Sequence, residues 1–95
     1  MNNYAEIIRQ RVPTSALIAS LGLKRNREGF ICCPFHGENT PSLRIYEGSR
    51  GWCCFGCNAS GSVIDFVMRW YDIGYQQALI KLNYDFSLGL PIGRT

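Results

Sequence analysis

The first quarter of the chain has apolar positions at helical spacing. Residues 4–12 predict one helix, which Pro13 ends. A second short helix follows, and we expect Thr14 or Ser15 to cap its start and Gly22 to stop it. Its apolar positions are Leu17, Ile18 and Leu21.

From residue 24 onward, the pattern changes to short alternating segments separated by turns. The predicted strands cover residues 29–32, 43–46 and 52–54, and residues 47–51 form a hairpin loop. In the second strand Leu43 and Ile45 lie on one face and Arg44 and Tyr46 on the other, because side chains alternate along a strand. The middle of the chain is therefore predicted to be a small antiparallel sheet.

Helical spacing returns after Cys57. Ser62 and Asp65 have the spacing of a capping box at the start of a third helix. Gly74 interrupts the pattern, and residues 75–82 predict a last helix. The apolar stripe of the third helix comprises Val63, Phe66, Val67, Trp70 and Tyr71. The predicted fold class is a small α+β domain, with a short antiparallel sheet of about three to four strands and flanking helices on both sides in sequence.

Length and composition predict one small folded domain. The chain has 95 residues, of which 46% are apolar and 18% charged. No apolar run approaches the roughly 20 residues of a membrane-spanning helix, and the first dozen residues lack the apolar stretch of a secretion signal. We expect a soluble, cytoplasmic domain over residues 1–86 that does not contact a membrane. Residues 87–95, with two glycines and a proline, are predicted to be a tail or the start of a linker.

Five cysteines and the only histidine lie within 26 residues. An odd number of cysteines without a secretion signal favours a metal site over a disulfide framework. Cys33 and His36 form one close pair, 17 residues follow, and Cys54 and Cys57 form the second pair. Four nitrogen and sulfur donors in two such pairs suit one tetrahedral Zn²⁺. Because the protein would fill all four positions, this zinc is predicted to be structural.

Each ligand pair begins at two adjacent cysteines, so the spacing leaves open which cysteine of each doublet binds the metal. Cys32 and Cys53 would give looser three-residue spacings within the two pairs. Neighbouring residues of a strand point to opposite faces, so only one member of each doublet can face the metal. We predict that Cys33 and Cys54 do so. Cys32 and Cys53 are then small buried hydrophobic residues or, alternatively, the two halves of a redox-sensitive disulfide.

The sequence contains no recognisable catalytic centre. The seven carboxylates are scattered, and there is neither an Asp-x-Asp pair for magnesium nor a Gly-rich phosphate loop. The single histidine is already a predicted metal ligand. We therefore do not expect this chain alone to catalyse a reaction.

The residues around the two ligand pairs resemble those of a known family. Residues 33–42 read CPFHGENTPS, residues 54–57 read CFGC, and residues 61–66 read GSVIDF. Over about residues 4–86 the chain resembles the Cys-His-Cys-Cys zinc-binding domain, a zinc ribbon, of bacterial and phage DNA primases. The resemblance implies zinc on Cys33, His36, Cys54 and Cys57. It also implies a module that engages single-stranded template DNA for primer synthesis, beside an RNA-polymerising domain in the same or another chain.

Two positions depart from the family pattern. Asn39 replaces the usual lysine before Thr-Pro-Ser, which removes a positive charge, and Asn58 replaces a common glycine. Asparagine tolerates left-handed backbone, so the fold is expected to be kept. The chain is expected to be either an excised domain of a longer DNA primase or a stand-alone relative.

A surface that binds single-stranded DNA needs cations for the phosphates and aromatic rings for the bases. The net charge of +3 allows contacts with a few phosphates. The candidate DNA-binding residues are Lys24, Arg25, Arg27, Arg44, Tyr46, Arg50 and Trp52, with Phe30 as a further candidate. The alternative is that the charges form a solvated face and that Trp52 or Phe30 covers the core. We interpret five other aromatic residues as core: Phe35, Phe55, Phe66, Trp70 and Tyr71.

A zinc ribbon that serves only as a protein-docking module for a polymerase or helicase is the other functional hypothesis. Phosphate contacts weaken steeply with salt, whereas an apolar protein interface does not. The salt dependence of binding therefore separates the two functions.

Overall fold

The computed structural model describes residues 3–35 and 40–92. Its elements follow the predicted order of helices, strands and helices. The helices are α1 (Tyr4–Arg11), α2 (Thr14–Ser20), α3 (Val63–Tyr71) and α4 (Tyr75–Asp85), and the strands are β1 (Phe30–Cys32), β2 (Pro41–Ile45), β3 (Trp52–Cys54) and β4 (Ser60–Gly61), with a 3₁₀ turn over Gly48–Arg50 between β2 and β3. Within the described ranges, no helix combines the length and the apolar character needed to cross a membrane.

The four strands form one antiparallel sheet in the order β1-β2-β3-β4. Arg44 of β2 lies opposite Phe30 of β1 on one side and opposite Cys53 of β3 on the other, and Cys53 lies opposite Ser60 of β4. Because directly opposed residues share a face, these four side chains define the outer face of the sheet. The inner face carries Ile31, Leu43, Ile45, Trp52 and Cys54, all of them buried. The predicted α+β class with a short antiparallel sheet is confirmed.

Aromatic rings join the inner face of the sheet to α3. The Phe66 ring on α3 lies 4.9 Å from Phe35 and 5.6 Å from Trp52, centroid to centroid. Trp52 is only 2% exposed, and its Nε1–H donates a hydrogen bond of 2.8 Å to the Ser62 carbonyl. The prediction that Trp52 contacts DNA is therefore wrong, because its ring is enclosed by the core and its one polar atom is already satisfied.

Helix α3 begins at the capping box that the sequence predicts. The Ser62 hydroxyl accepts a hydrogen bond from the Ile64 N–H, and the Asp65 carboxylate accepts one of 2.8 Å from the Ser62 N–H. Two backbone donors at the start of the helix are thereby satisfied, which sets the point where α3 leaves β4.

Helix α2 begins differently from the prediction. Pro13 is its N-cap, in an extended backbone conformation, and proline offers no capping side chain. The Pro13 carbonyl accepts hydrogen bonds from the N–H groups of Ala16 and Leu17. The helix therefore already includes Thr14, and the expected cap by Thr14 or Ser15 is wrong.

The segment after α4 folds back on the domain as far as Ile92. The Asn83 side chain donates a hydrogen bond of 2.7 Å to the Leu90 carbonyl and accepts one of 2.9 Å from the Leu90 N–H. Ile92 is 8% exposed and belongs to the core, so it supplies a closing hydrophobic contact that the sequence did not suggest. The part of the predicted tail from residue 87 to residue 92 thus packs on the domain, and the domain boundary at residue 86 stays a prediction.

Gly51 lies where the hairpin returns into β3, with its backbone against β4. A Cβ at this position would overlap the Gly61 carbonyl oxygen, and the φ of Gly51 is +93°. We expect Gly51→Ala to lower the free energy of unfolding by about 3 kcal/mol or more, because backbone strain adds to a clash between main-chain atoms. Urea unfolding curves measure this loss.

Gly22→Ala is the matched control for this variant. Gly22 follows α2 as its predicted stop and has a φ of +79°, but no atom of the described residues lies within 4 Å of its Cβ position. Only backbone strain of about 1–2 kcal/mol is therefore expected there. Equal losses for the two variants would contradict the clash at Gly51.

Candidate functional site

Three cysteines lie close together at the end of the sheet where β1 and β3 lead into turns. The sulfur atoms of Cys33, Cys54 and Cys57 all lie within 4.8 Å of one another. Cys33 directly follows β1 and Cys54 ends β3. Both strands are antiparallel to β2, so their carboxyl ends lie at the same end of the sheet. The strand pairing therefore brings together cysteines that are 21 positions apart in the chain.

The turn from Cys54 to Cys57 stabilises a thiolate. Burial opposes a charge on Cys54, but hydrogen bonds from the Ser42 hydroxyl and from the N–H groups of Cys57 and Gly56 outweigh burial and lower the pKa of Cys54 to about 6. The Ser42 Oγ lies 3.5 Å from the Cys54 sulfur. Asn58 follows the turn with a φ of +63°, the left-handed conformation that the sequence predicts asparagine to tolerate here.

Phe35 anchors the turn that follows β1. Its ring packs on Trp52 at 5.5 Å and on Phe66 at 4.9 Å, and its backbone N–H donates to the Cys33 sulfur. Burial nevertheless raises the pKa of Cys33 to about 11. The Phe35 N–H thus offers a hydrogen bond to a Cys33 thiolate, while burial opposes the charge on that sulfur.

The donor set of this cluster fits a soft tetrahedral cation such as Zn²⁺. Sulfur atoms that bind one zinc at about 2.3 Å lie about 3.8 Å apart, and the three sulfur atoms here are within 4.8 Å of one another. The N–H groups that point at the sulfur atoms are typical outer partners of thiolate ligands. His36, the predicted fourth ligand, lies outside the described residues. The ligand set of Cys33, His36, Cys54 and Cys57 stays a prediction.

The other member of each cysteine doublet lies outside this cluster. Cys32 is exposed, so the prediction of a small buried hydrophobic residue is wrong there, and Cys53 is half-buried on the outer face of the sheet. Because β2 lies between β1 and β3, the backbones of the two residues are separated by two strand spacings, about 9–10 Å. A disulfide needs Cα atoms within about 7 Å. The alternative of a Cys32–Cys53 disulfide within one chain is therefore wrong for this fold.

Five side chains form a continuous row along the outer face of the sheet, which we call the arginine–aromatic row: Phe55, Phe30, Arg44, Tyr46 and Arg50. The Arg44 guanidinium lies 5.5 Å from the ring centroid of Phe30 and 5.5 Å from that of Tyr46. Arg50 lies 5.4 Å from the Tyr46 centroid, and the Phe30 and Phe55 centroids are 6.2 Å apart. Both arginines are exposed. Cation–π contacts therefore orient two guanidiniums on a surface that is open to solvent.

Two aromatic residues that the sequence assigned to the core are exposed. Phe55 is 60% exposed and Tyr71 is 39% exposed, so these two predictions are wrong. Cys54 is buried, and its neighbour Phe55, in the turn just after β3, packs against Phe30 of the outer face. Extending the strand alternation by one residue past Cys54 gives the same side for Phe55. The other three, Phe35, Phe66 and Trp70, do lie in or against the core.

The loop between α2 and β1 carries the other three predicted DNA-binding cations. Lys24, Arg25 and Arg27 are all exposed. Arg25 is 3.9 Å from Glu47, which precedes the 3₁₀ turn that carries Arg50. An exposed ion pair contributes less than about 1 kcal/mol, so Arg25 can exchange this partner for a phosphate. The role of these three residues in DNA binding stays a prediction.

Comparison with known proteins gives consistent matches in sequence and in structure. Residues 2–94 match a family described as the CHC2 zinc finger. The chain is 36% identical over 90 residues to a DNA primase of Rickettsia typhi, and the aligned residues make up 93% of this chain and 15% of that protein. It is 35% identical over 74 residues to a DNA primase of Escherichia coli K12, which covers 77% of this chain and 13% of that protein.

A solved structure is also similar to the chain. The crystal structure of the Aquifex aeolicus primase, which comprises its zinc-binding and RNA polymerase domains, matches with a TM-score of 0.75 and 28% identity. The match covers 92% of this chain and 22% of that one. The chain therefore spans between 13% and 22% of the length of these three primases.

Proposed function

The chain belongs to the CHC2 zinc finger family, and we propose that it is the zinc-dependent module with which a DNA primase engages single-stranded template DNA. The observation that carries this proposal is the arginine–aromatic row. It offers two guanidiniums for phosphates and aromatic rings for bases on one exposed surface, which is the combination that single-strand binding needs. The relatives named as DNA primases support template DNA as the ligand.

One zinc ion in this proposal would be held by Cys33, His36, Cys54 and Cys57. Bound there, it supplies a cross-link between two turns of a sheet whose strands are only two to five residues long. Phe55 directly follows Cys54, so the metal site and the arginine–aromatic row share one segment of chain. The zinc would thus support DNA binding indirectly, by holding the segment that carries Phe55 in place.

A polymerising domain is the proposed protein partner of this module. The Aquifex aeolicus structure contains a zinc-binding and an RNA polymerase domain. We propose that the module works beside such a domain, in the same or another chain. With a net charge of +3, the module alone contacts few phosphates, so its own DNA binding is expected to be weak and sensitive to salt.

Arg44→Ala and Arg50→Ala are expected to weaken the binding of single-stranded DNA and to flatten its salt dependence. For single strands, the slope of log K against log salt concentration is about −0.7 per phosphate contact. Each variant should therefore flatten the slope by about 0.7, because each removes one contact. Fluorescence anisotropy with a short labelled oligothymidylate across a salt series measures the affinity and the slope together.

Lys81→Ala is the matched control for the loss of charge. Lys81 lies on α4 and pairs with Asp85 at 3.1 Å, so its removal should leave the slope unchanged. If Arg44→Ala and Arg50→Ala also leave affinity and slope unchanged, the DNA surface lies elsewhere, and the cations of the α2–β1 loop are tested next. A wild-type chain that binds no single-stranded DNA at low salt would favour the protein-docking function.

A further inference from the structure

Tyr46 and Phe55 differ in what already contacts their rings. The Tyr46 ring has the guanidiniums of Arg44 and Arg50 at 5.5 Å and 5.4 Å from its centroid. Phe55 lies at the end of the arginine–aromatic row, 60% exposed, with the Phe30 ring 6.2 Å away and tilted by 43°. A base that stacked on Tyr46 would compete with two cations, whereas a base that stacked on Phe55 would meet an open ring.

A backbone hydrogen bond fixes the position of Phe55 near Arg44. The Phe55 N–H donates a hydrogen bond of 2.8 Å to the Ser42 carbonyl, two residues before Arg44 on β2. Phe30 lies opposite Arg44 in the sheet and contacts both the Arg44 guanidinium and the Phe55 ring. The ring that is open to a base and the guanidinium that is open to a phosphate are therefore held by the same residue, Phe30.

We infer that Phe55 stacks on one base of the bound strand, whereas Tyr46 stacks on no base and instead orients Arg44 and Arg50 toward the phosphates. This inference rests on the proposed function and divides its surface into two parts. The base-dependent part of the affinity lies at Phe55, next to the predicted metal site. The phosphate-dependent part lies at the hairpin end, around Tyr46. Stacking on a phenylalanine ring tolerates any base, so this part discriminates single strands from duplexes rather than one sequence from another.

Two probes of equal length separate the two parts: a labelled oligothymidylate, and an oligonucleotide with the same phosphates whose sugars carry no bases. Phe55→Leu is expected to lower the affinity for the oligothymidylate by about 5- to 150-fold and to leave the affinity for the abasic probe unchanged. Phe55→Tyr, which keeps the aromatic ring, is expected to bind both probes like the wild type. Tyr46→Leu is expected to weaken both probes by the same factor, because the guanidiniums lose their support.

Tyr84→Leu is the matched control for the loss of an exposed ring. Tyr84 is 82% exposed on α4, and this variant should bind both probes like the wild type. An equal loss on both probes in Phe55→Leu would assign Phe55 a structural role in its turn and overturn the inference. Loss of the base-dependent part in Tyr46→Leu, but not in Phe55→Leu, would place the base on Tyr46 and overturn it as well.

The wild-type result separates failure of this inference from failure of the proposed function. A wild type that binds both probes equally well overturns the assignment of a base to Phe55 and leaves the proposed DNA binding in place. A wild type that binds neither probe at low salt overturns the proposed function, and the inference with it.

Discussion

Removal of zinc by a chelator is expected to unfold the sheet from Phe30 to Cys57, while the helices keep part of their structure. Structural zinc contributes roughly 10–16 kcal/mol in zinc-finger peptides, and the whole stability of an ordinary domain is about 5–15 kcal/mol. The strands here are two to five residues long, so their hydrogen bonds cannot replace that contribution. Circular dichroism and the thermal midpoint, recorded before and after chelation, measure the effect.

Zinc added back to the chelated chain should restore both signals. Magnesium in the same excess is the control, because it prefers oxygen ligands and keeps several of its water molecules. A metal-free chain with an unchanged spectrum and an unchanged thermal midpoint would refute a structural role for zinc.

Loss of bound zinc is expected for Cys33→Ser and Cys54→Ser, and retention of zinc is expected for Cys32→Ser and Cys53→Ser. The sulfur atoms of Cys33 and Cys54 lie in the cluster that also contains Cys57, whereas those of Cys32 and Cys53 do not. A serine hydroxyl is a poor substitute for a thiolate ligand to zinc. Metal analysis of the four purified variants gives the zinc content per chain.

Each doublet supplies its own control, because its two cysteines are neighbours in the chain and only one of them lies in the cluster, although they also differ in burial. Cys53 is half-buried, so we expect Cys53→Ser to lower the free energy of unfolding by up to about 1 kcal/mol while the chain keeps its zinc. Zinc-free Cys32→Ser or Cys53→Ser would show that the register of the ligand pairs is wrong.

Several predictions that rest on neighbouring residues are confirmed, although the cap predicted for α2 is not. The capping box of Ser62 and Asp65 forms as predicted, because both partners lie within one helical turn. The left-handed backbone at Asn58 follows from the turn that closes after Cys57. The alternation that puts Leu43 and Ile45 inside and Arg44 outside also holds, because it is a property of any strand.

Predictions for aromatic residues failed where they depended on which face of a strand is covered. Trp52 and Cys54 are two positions apart and share the buried face of β3, so Trp52 belongs to the core. Phe55 follows Cys54 and is exposed on the opposite face. From the sequence alone, a phenylalanine next to a metal ligand and a tryptophan in a strand each fit the core or the exposed face equally well. The choice requires knowing which face of the sheet α3 covers.

The sequence by itself determined the α+β class, the spacing of the two ligand pairs and the start of α3, since each depends on residues close together in the chain. Only the tertiary structure decided that Phe55, Phe30, Arg44, Tyr46 and Arg50 form one row. These residues come from β1, β2 and the turns around β3, and they meet because Arg44 pairs with Phe30 on one side and with Cys53 on the other. That register depends on burying the other face of the sheet, with Trp52 and Leu43, against the helices, which no local pattern in the chain specifies.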